Sequence, residues 1–482
     1  MKKSNKIIFW VLGLIFYSVN IHASTNDKKP NILFIAIDDL RPELGCYGKD
    51  YIHSPNIDKL ASSGYLFNQA YCQVPVCGAS RASILTGMLP TQNRFLSYHS
   101  RMDEDAPGFT TLPMHFKNNG YYTVNIGKVS HFPDDQDHSW SEPPKRPDWE
   151  KLPDGSWSTE GWHDYLTEKN VAITKTDTRG FGPPYEKANV PDSAYSDGKS
   201  IEMAKRKLRE LKELEQPFFF ALGMLKPHLP FNAPSKYWDL YDEERIKMAP
   251  NPYLPVNVPQ EGINNFGELR SYTGVPKQGP VSDSMAHNLV HGYYACVSYT
   301  DALIGDFLNE LDKLGLTENT IIILWSDHGF FLGEHGFWCK HALYELATRV
   351  PMIVKLPGVK SHHEINTIVE LVDIYPTLCE LTVIPLPEHL QGKSFIKAFE
   401  NPDYQHRSFA YSRFESGESI KKNGKRYSQY FTNDGVLNSE MLYDHEKDPA
   451  ENVNVVDQIL YRAEVGKYSS IIDSIRNNHQ HE

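Results

Sequence analysis

The chain has 482 residues, 40% of them hydrophobic and 23% charged, which is an ordinary globular composition and excludes a disordered chain. The formal net charge is -12, so we expect no nucleic-acid partner, and an anionic substrate would have to be attracted by a local cluster of cations. The six cysteines are too few and too scattered for a disulfide-built scaffold, and their spacing matches no zinc pattern.

The first residues have the pattern of an export signal. Three lysines within the first six residues precede an apolar run at 7–17, and Ala23 is a small residue at the expected cleavage point. The apolar run is too short to span a bilayer. We therefore predict a cleaved signal peptide over residues 1–23, a periplasmic or secreted protein and no stable membrane anchor. An uncleaved anchor is the alternative.

Apolar runs and helical patterns alternate along the chain after this segment. Continuous apolar runs predict strands that are covered on both faces. Amphipathic patterns between them predict helices, the longest of which stops at Gly315. The predicted strands occupy residues 31–39, 122–128, 217–225, 319–329 and 350–358, and the predicted helices occupy 54–67, 110–121, 196–214 and 283–314. This alternation favours an α/β fold in which helices flank a mainly parallel sheet.

The residue composition of the chain changes at two places. Residues 132–185 are rich in Pro, Trp and Asp and predict a long loop over the edge of the sheet, and such loops are often functional. After Gly392 the sequence becomes aromatic and alternating, which predicts antiparallel strands at 407–415, 425–434 and 439–449. We expect a main domain over 24–392 and a small C-terminal subdomain over 393–482.

Acidic residues follow two of the predicted strands. Asp38 and Asp39 end the first strand, and Asp327 with His328 ends the strand near residue 320. Ligands of parallel sheets gather where the strands end, so these residues should meet at one edge. Adjacent carboxylates repel unless a cation lies between them, and their oxygens favour a hard divalent ion. The alternative for the first pair is a helix N-cap followed by a solvated acid.

Cys77 stands at the start of a predicted helix, with Arg81 one turn further on. A helix N-terminus favours an anion, and the same position would lower the pKa of a thiol and make it nucleophilic. Arg81 could pair with a charged nucleophile or with a bound oxyanion. The alternative is a buried cysteine beside a surface arginine.

Spaced motifs along nearly the whole chain resemble the sulfatase family, and among type I sulfatases the iduronate-2-sulfatase branch. The central motif is Cys-x-(Pro or Ala)-Ser-Arg followed by a helix that ends near Thr-Gly. The matching segments are "AIDDLRPELGCYG", "SPNIDKLASSGYLFNQAY", "VCGASRASILTGMLPTQNR", "GYYTVNIGKVSH", "KPHLPF", "YTDALIGDFLNELD", "WSDHGFFLGEHGFWCKH" and "LYDHEKDPAENVNV". The resemblance implies an alkaline-phosphatase-like fold with a large, mixed, mainly parallel sheet and a small antiparallel C-terminal sheet. Residues 24–392 would then be the catalytic domain.

The resemblance also implies that Cys77 is a precursor. In this family the signature cysteine is oxidised before folding to Cα-formylglycine by a sulfatase-maturating enzyme, so the thiol itself does no chemistry. Ala79 stands where many members have proline, which leaves the maturation system open. The implied metal is one Ca²⁺ ion, and histidine is a less usual calcium ligand than the asparagine that many members have at that position. Its implied ligands are Asp38, Asp39, Asp327, His328 and the modified Cys77.

Five cationic side chains match the active-site cations of the family, and they would supply the local positive field that the acidic chain otherwise lacks. A lone histidine or lysine is more often a surface or satisfied residue. The five are Arg81, Lys128, His131, His228 and Lys340. His335 ranks behind them, and Lys226 and His341 rank lower still. Our hypothesis for the mechanism is that Asp327 accepts a proton at the metal, that His131 takes a proton as sulfate is expelled, and that either His228 or Lys340 protonates the leaving oxygen.

The resemblance predicts a sulfuric ester hydrolase that removes sulfate from a sulfated carbohydrate, by exo action on fragments of ulvan, carrageenan or glycosaminoglycan. Specificity should reside in residues 93–101, in residues 132–185 and in the C-terminal subdomain. The alternatives are a phosphate or phosphonate ester hydrolase of the same superfamily and a non-catalytic protein that binds sulfated glycans. The first usually has two metals and a serine or threonine nucleophile, which the single acidic cluster beside Cys77 does not match.

Overall fold

The computed structural model describes residues 29–479 apart from positions 154, 156, 159 and 160. The predicted signal peptide, residues 1–23, lies outside the described residues. Within them, no helix has the length and apolar character that crossing a membrane requires.

The strands of the described chain form a large sheet, a four-stranded sheet and two short pairs. In chain order they are β1 (Asn31–Ile37), β2 (Tyr65–Tyr71), β3 (Tyr122–Gly127), β4 (Tyr185–Ala188), β5 (Phe218–Met224), β6 (Phe231–Pro234), β7 (Thr320–Ser326), β8 (Phe331–Leu332), β9 (Trp338–Cys339), β10 (Arg349–Lys355), β11 (His363–Ile365), β12 (Val369–Glu370), β13 (Ala410–Phe414), β14 (Gly417–Lys422), β15 (Lys425–Phe431) and β16 (Leu437–Asp444). The large sheet has the order β11-β2-β10-β7-β1-β5-β3, with β12 beside β2. Neighbours among β3, β5, β1 and β7 are parallel, and β10 is antiparallel to β7 and β2. The prediction of a large, mainly parallel sheet is confirmed.

Helices cover both faces of the large sheet. In chain order the helices are α1 (Pro55–Ala61), α2 (Cys77–Thr86), α3 (Met102–Asp105), α4 (Leu112–Asn118), α5 (Glu168–Thr174), α6 (Ser196–Lys212), α7 (Ser235–Trp238), α8 (Asp283–Lys313), α9 (Glu345–Thr348), α10 (Ile374–Leu381), α11 (Ile396–Glu400) and α12 (Arg462–His479). Leu33 and Ile35 of β1 pack with α1, α6 and α8, whereas Ile32 and Phe34 pack with α2, α4 and α10. Because both faces are covered, the central strands are apolar throughout rather than alternating.

The predicted helix over residues 54–67 is wrong in its second half. The helix ends at Ala61, and Tyr65–Tyr71 forms β2 between β10 and β11. Gly64 lies between them where a Cβ atom would come within 2.7 Å of Val354 O, so only glycine allows the chain to turn so close to β10. The apolar residues of α1 have helical spacing, and this spacing continues by chance into the residues of β2.

The C-terminal part contains the predicted antiparallel sheet. β13, β14, β15 and β16 pair in sequence order, and β14 is a strand that the sequence patterns did not indicate. The final helix α12, also not predicted, packs Tyr468 and Ile472 against this sheet. On the other side of the sheet, Arg426 forms an ion pair of 2.7 Å with Glu345 of the main part. The domain boundary at residue 392 stays a prediction.

Candidate active site

The floor of the site lies at the edge of the large sheet where its parallel strands end. Ile37, the last residue of β1, pairs with Ser326, the last residue of β7, so the residues that follow the two strands are neighbours. The Asp39 N–H donates to Asp327 Oδ1 at 3.3 Å, although 288 positions separate them in sequence. The structure thus brings the two acidic segments together at one edge.

Four buried side chains at this edge form a group of potential metal ligands. Their ligand atoms all lie within 4.8 Å of one another, and they belong to Asp38, Asp39, Cys77 and His328. His328 Nδ1 lies 3.0 Å from the carbonyl oxygen of Gly329, which can only accept, so Nε2 keeps its lone pair for a cation. Asp327 lies beside this group, with Oδ1 3.6 Å from His328 Nε2.

The charges of this group favour a divalent cation. Asp38 Oδ1 is buried and receives no hydrogen bond from the described residues. Burial raises the pKa of Asp39 to about 7 despite the nearby Lys340, and repulsion between Asp39 and the adjacent Asp38 adds to this rise. Carboxylate oxygens suit a hard ion such as Ca²⁺, and imidazole nitrogen binds several divalent ions. These residues therefore fit the metal that the sequence resemblance implies.

Cys77 is the first residue of α2 and is 3% exposed. Its Sγ atom lies 3.4 Å from His328 Nε2. The expectation that the helix N-terminus lowers the pKa of this thiol is wrong. Burial, and after it Asp38 and Asp327, raises the pKa of Cys77 well above the usual value of a thiol. A thiol that keeps its proton is a poor nucleophile, so this environment does not activate the unmodified cysteine.

Arg81 is completely buried, which excludes the alternative of a surface arginine. Its Nε donates to Asp327 Oδ2 at 2.8 Å, and its Nη1 donates to Val129 O at 2.9 Å. Its Nη2 lies 3.7 Å from Asp38 Oδ1 and has no hydrogen-bond acceptor among the described residues. Arg81 therefore joins the ends of β1, β3 and β7 and keeps one donor for a ligand.

Two lysines pair with the adjacent aspartates. Lys128, directly after β3, forms an ion pair with Asp38, and Lys340 Nζ lies 3.0 Å from Asp39 Oδ1. Lys340 also lies 2.8 Å from Glu268 Oε2, a carboxylate that the sequence patterns did not indicate. These lysines, with Arg81, form the cationic cluster that an anionic substrate requires.

His228 and Glu268 lie beside Lys340. His228 Nε2 is 2.9 Å from Glu268 Oε1, and its Nδ1 is 2.6 Å from Leu229 O. Although burial opposes its ionisation, Lys340 and then His228 hold the pKa of Glu268 well below its usual range. Glu268 lies in an irregular segment with no strand or motif around it, so only the three-dimensional structure reveals it.

Trp162, from the predicted long loop, contacts three of the expected cations. Its ring centroid lies 4.1 Å from Lys128 Nζ, 4.4 Å from the His228 ring and 5.9 Å from the His131 ring. Burial, and after it Lys128, lowers the pKa of His131 well below its usual value. The loop therefore forms one wall of the site, as its composition suggested.

A cavity of about 720 Å³ opens above Cys77. Its lining includes residues of both loop segments that we expected to set specificity, 93–101 and 132–185, and no residue of 393–479. His341 lines it and lies 4.0 Å from Glu268.

Two residues of lower rank lie outside this lining. His335 packs against Tyr344, with ring centroids 5.2 Å apart, because the turn that carries it points into the interface with the C-terminal sheet. Lys226 is buried and donates to His228 O at 3.1 Å, which supports the loop that carries His228.

The chain is similar to known sulfatases over most of its length. The model of the sulfatase family matches residues 30–384, and that of the N-sulphoglucosamine sulphohydrolase C-terminal region matches residues 333–478. The iduronate 2-sulfatase of Mus musculus is 36% identical over 402 residues, which cover 76% of this chain and 71% of that protein. The ulvan-active sulfatase of Formosa agariphila is 28% identical over 385 residues, which cover 78% and 66%. The solved structure of BT4656 in complex with its substrate D-glucosamine-2-N,6-O-disulfate has a TM-score of 0.71 at 20% identity and covers 94% of this chain and 99% of that one.

The family model spans most of the chain, and the mouse relative is similar over most of its own length. The solved sulfatase structures confirm the predicted alkaline-phosphatase-like fold. The chain therefore belongs to the sulfatase family, in its iduronate-2-sulfatase-like branch, and is a sulfuric ester hydrolase.

Proposed function

We propose that this chain is a formylglycine-dependent, exo-acting sulfatase of carbohydrate sulfate esters, with Cys77 as the precursor of the formylglycine. The observation that carries the proposal is the position of Cys77 Sγ within the group of ligand atoms that spans 4.8 Å.

The metal of the proposed site is one Ca²⁺ ion. Its ligands would be Asp38, Asp39, Asp327, His328 and the oxidised side chain at position 77. Bound calcium would polarise sulfuryl oxygens and favour deprotonation of a nearby hydroxyl group. The formylglycine would supply a nucleophilic hydrate oxygen and an aldehyde that is regenerated at each turnover.

The surrounding side chains have separate roles in this proposal. Arg81 and Lys128 hold the sulfuryl oxygens, and their buried charges stabilise the transition state as well as the bound ester. Asp327 accepts a proton at the floor, and His131, whose Nδ1 is unpartnered among the described residues, accepts a second one as sulfate leaves. His228 or Lys340, which both contact Glu268, protonates the leaving sugar oxygen.

The proposed substrate is a sulfated oligosaccharide or polysaccharide. The ulvan-active sulfatase and the iduronate 2-sulfatases among the relatives support a carbohydrate substrate. A cavity walled by the two loop segments suits the end of a chain, which supports exo action. We also propose that residues 1–23 direct export to the periplasm or medium and that a sulfatase-maturating enzyme acts on the chain.

The test combines mass spectrometry with a matched pair of substitutions. Peptides across Cys77, from protein made in the native host, should show the mass loss of thiol-to-aldehyde conversion. Cys77→Ser, made in a host that does not oxidise serine, should fold and lose turnover of 4-nitrophenyl sulfate. Cys379→Ser, at a buried cysteine of α10, is the control and should keep activity. Multiple turnover by Cys77→Ser would refute the proposal.

Two parallel measurements separate the alternatives. A phosphate or phosphonate esterase would hydrolyse 4-nitrophenyl phosphate faster than the sulfate. A non-catalytic glycan-binding protein would bind sulfated oligosaccharides in calorimetry and release no sulfate. Desulfation of defined oligosaccharides, scored for each ring position, would identify the sugar.

A further inference from the structure

His163 is a buried side chain of the cavity wall that the proposed mechanism does not use. It is 8% exposed and lines the cavity, and neither of its ring nitrogens has a hydrogen-bond partner among the described residues. Buried polar atoms are nearly always hydrogen-bonded, because leaving them unpaired costs free energy. Two unpaired nitrogens on one ring at a substrate cavity therefore point to a ligand that supplies the partners.

The surroundings of His163 are aromatic. Its ring centroid lies 4.1 Å from that of Phe181 and 5.8 Å from that of Tyr272, and Trp162 precedes it in the chain. All of these residues line the cavity. Apolar walls with a few polar groups are typical of pockets that bind small organic molecules. Trp162 connects the aromatic wall around His163 to the floor of the proposed sulfate site.

The charge state of His163 limits which ligand groups can form a hydrogen bond with its ring. Burial, and after it the positive charge of Lys226, lowers the pKa of His163 to about 3. At neutral pH the ring is uncharged, with one nitrogen as donor and the other as acceptor. The uncharged ring supplies no positive charge to offset the desolvation of a carboxylate or a second sulfate, and the neighbouring Lys226 opposes an ammonium group. A hydroxyl group can accept from the donor nitrogen or donate to the acceptor nitrogen, so it can pair with the ring at either position.

We propose that His163 is a specificity-determining residue that hydrogen-bonds a free, uncharged hydroxyl on the sugar ring that carries the sulfate ester. The inference rests on the proposed function and narrows it, because it requires a hydroxylated ring close to the ester oxygen. The position next to Trp162, which contacts both Lys128 and His228, places this hydroxyl near the reacting ester.

The test compares an aryl ester with sugar esters. The aryl probe is 4-nitrophenyl sulfate, which has no ring hydroxyl. The sugar probes are methyl pyranosides with one sulfate each, paired with analogues in which the hydroxyl next to the sulfate is replaced by hydrogen. For the pyranoside that the unaltered enzyme desulfates best, His163→Phe should lower kcat/KM by about ten- to a hundredfold. Turnover of the aryl ester should change less than about twofold.

The deoxy analogue gives a reading that does not depend on how the variant folds. The unaltered enzyme should lose about the same factor on this analogue, and His163→Phe should no longer distinguish the two pyranosides. His163→Gln, which keeps a donor and an acceptor, should recover part of the loss. Thermal stability should not fall in His163→Phe, since no hydrogen bond is removed. It should fall in the control His291→Phe, which loses a bond of 2.9 Å to Trp238 O, while the ratio of sugar to aryl turnover stays unchanged.

Several outcomes overturn the inference. His163→Phe could lose the same factor in kcat/KM on aryl and sugar esters, or lose none on either. It could also remain as sensitive to the deoxy substitution as the unaltered enzyme. Finally, the unaltered enzyme could hydrolyse the aryl ester but none of the pyranosides. A failure of the proposed function is distinct, because the unaltered enzyme would then release no sulfate from any probe and Cys77 would remain a thiol.

Discussion

Gly223→Ala should disrupt the site without touching any side chain in it. Gly223 of β5 pairs with Gly127 of β3, directly before Lys128. A Cβ atom at position 223 would lie 2.5 Å from Lys128 N and closer still to its carbonyl group, whereas ordinary contact begins at 3.4 Å. Backbone atoms cannot rotate away as a side chain can, so Lys128 would have to move by about an ångström. A displacement of that size at a substrate-positioning group costs about a hundredfold in rate.

The assay is steady-state hydrolysis of 4-nitrophenyl sulfate together with urea unfolding. We expect Gly223→Ala to lower kcat/KM by about a hundredfold and the free energy of unfolding by about 1–3 kcal/mol. The control is Gly466→Ala in α12, where an added Cβ meets no atom within 4 Å. That change should leave kcat/KM unaltered and raise stability by about 0.5–1 kcal/mol. If Gly223→Ala keeps both rate and stability near those of the unaltered enzyme, the close approach of β3 and β5 is not what positions Lys128.

Three further changes test other contacts. Chelation by EGTA should abolish sulfate release and lower Tm, because Asp38 and Asp39 would lose their cation, and adding Ca²⁺ should restore both. A Tm that does not respond to EGTA would argue against a bound metal. Arg81→Lys should lower the free energy of urea unfolding by about 1.5–3 kcal/mol, since one ammonium cannot replace the guanidinium donors. Arg407→Leu removes the arginine that pairs with both Asp373 and Glu370, which are buried, and leaves His406 beside Asp373; it should cost about 3–5 kcal/mol, measured in the same way.

The parts of the fold that could be predicted from sequence are those with local signals. β1 and β7 are continuous apolar runs because both of their faces are covered, and the acidic residues after them mark the strand ends. The parallel pairing of such strands places Asp38 near Asp327 regardless of the length of chain between them. A strand such as β2 could not be predicted, because its apolar residues continue the spacing of the preceding helix.

The missed site residues come from irregular segments. Glu268, Trp162 and His163 lie outside the strands of the large sheet, and their positions depend on contacts with residues far away in sequence. Trp162, for example, is fixed by Trp149, Lys128 and His228. Composition indicated that the loop over residues 132–185 is functional, but no local rule indicates which of its side chains enters the cavity.

The charge balance of the floor predicts selectivity for sulfate over phosphate esters. Four carboxylates face three permanent cations there, and burial lowers the pKa of the nearby His131 and His228. The carboxylates are Asp38, Asp39, Asp327 and Glu268, and the cations are Arg81, Lys128 and Lys340. With a divalent ion bound, the floor has one net positive charge, which a monoanionic sulfate ester neutralises. A phosphate monoester carries a second charge above its second pKa of about 6.

Any hydrolysis of 4-nitrophenyl phosphate should therefore decline as the pH rises through the second pKa of that ester, because the dianion leaves an uncompensated buried charge. Hydrolysis of the sulfate ester should show no such step, since that ester keeps one charge throughout. The ratio of the two kcat/KM values, measured at each pH with the same enzyme preparation, cancels any titration of the enzyme that both substrates share. A constant ratio on both sides of that second pKa would mean that the net charge of the floor does not select the ester.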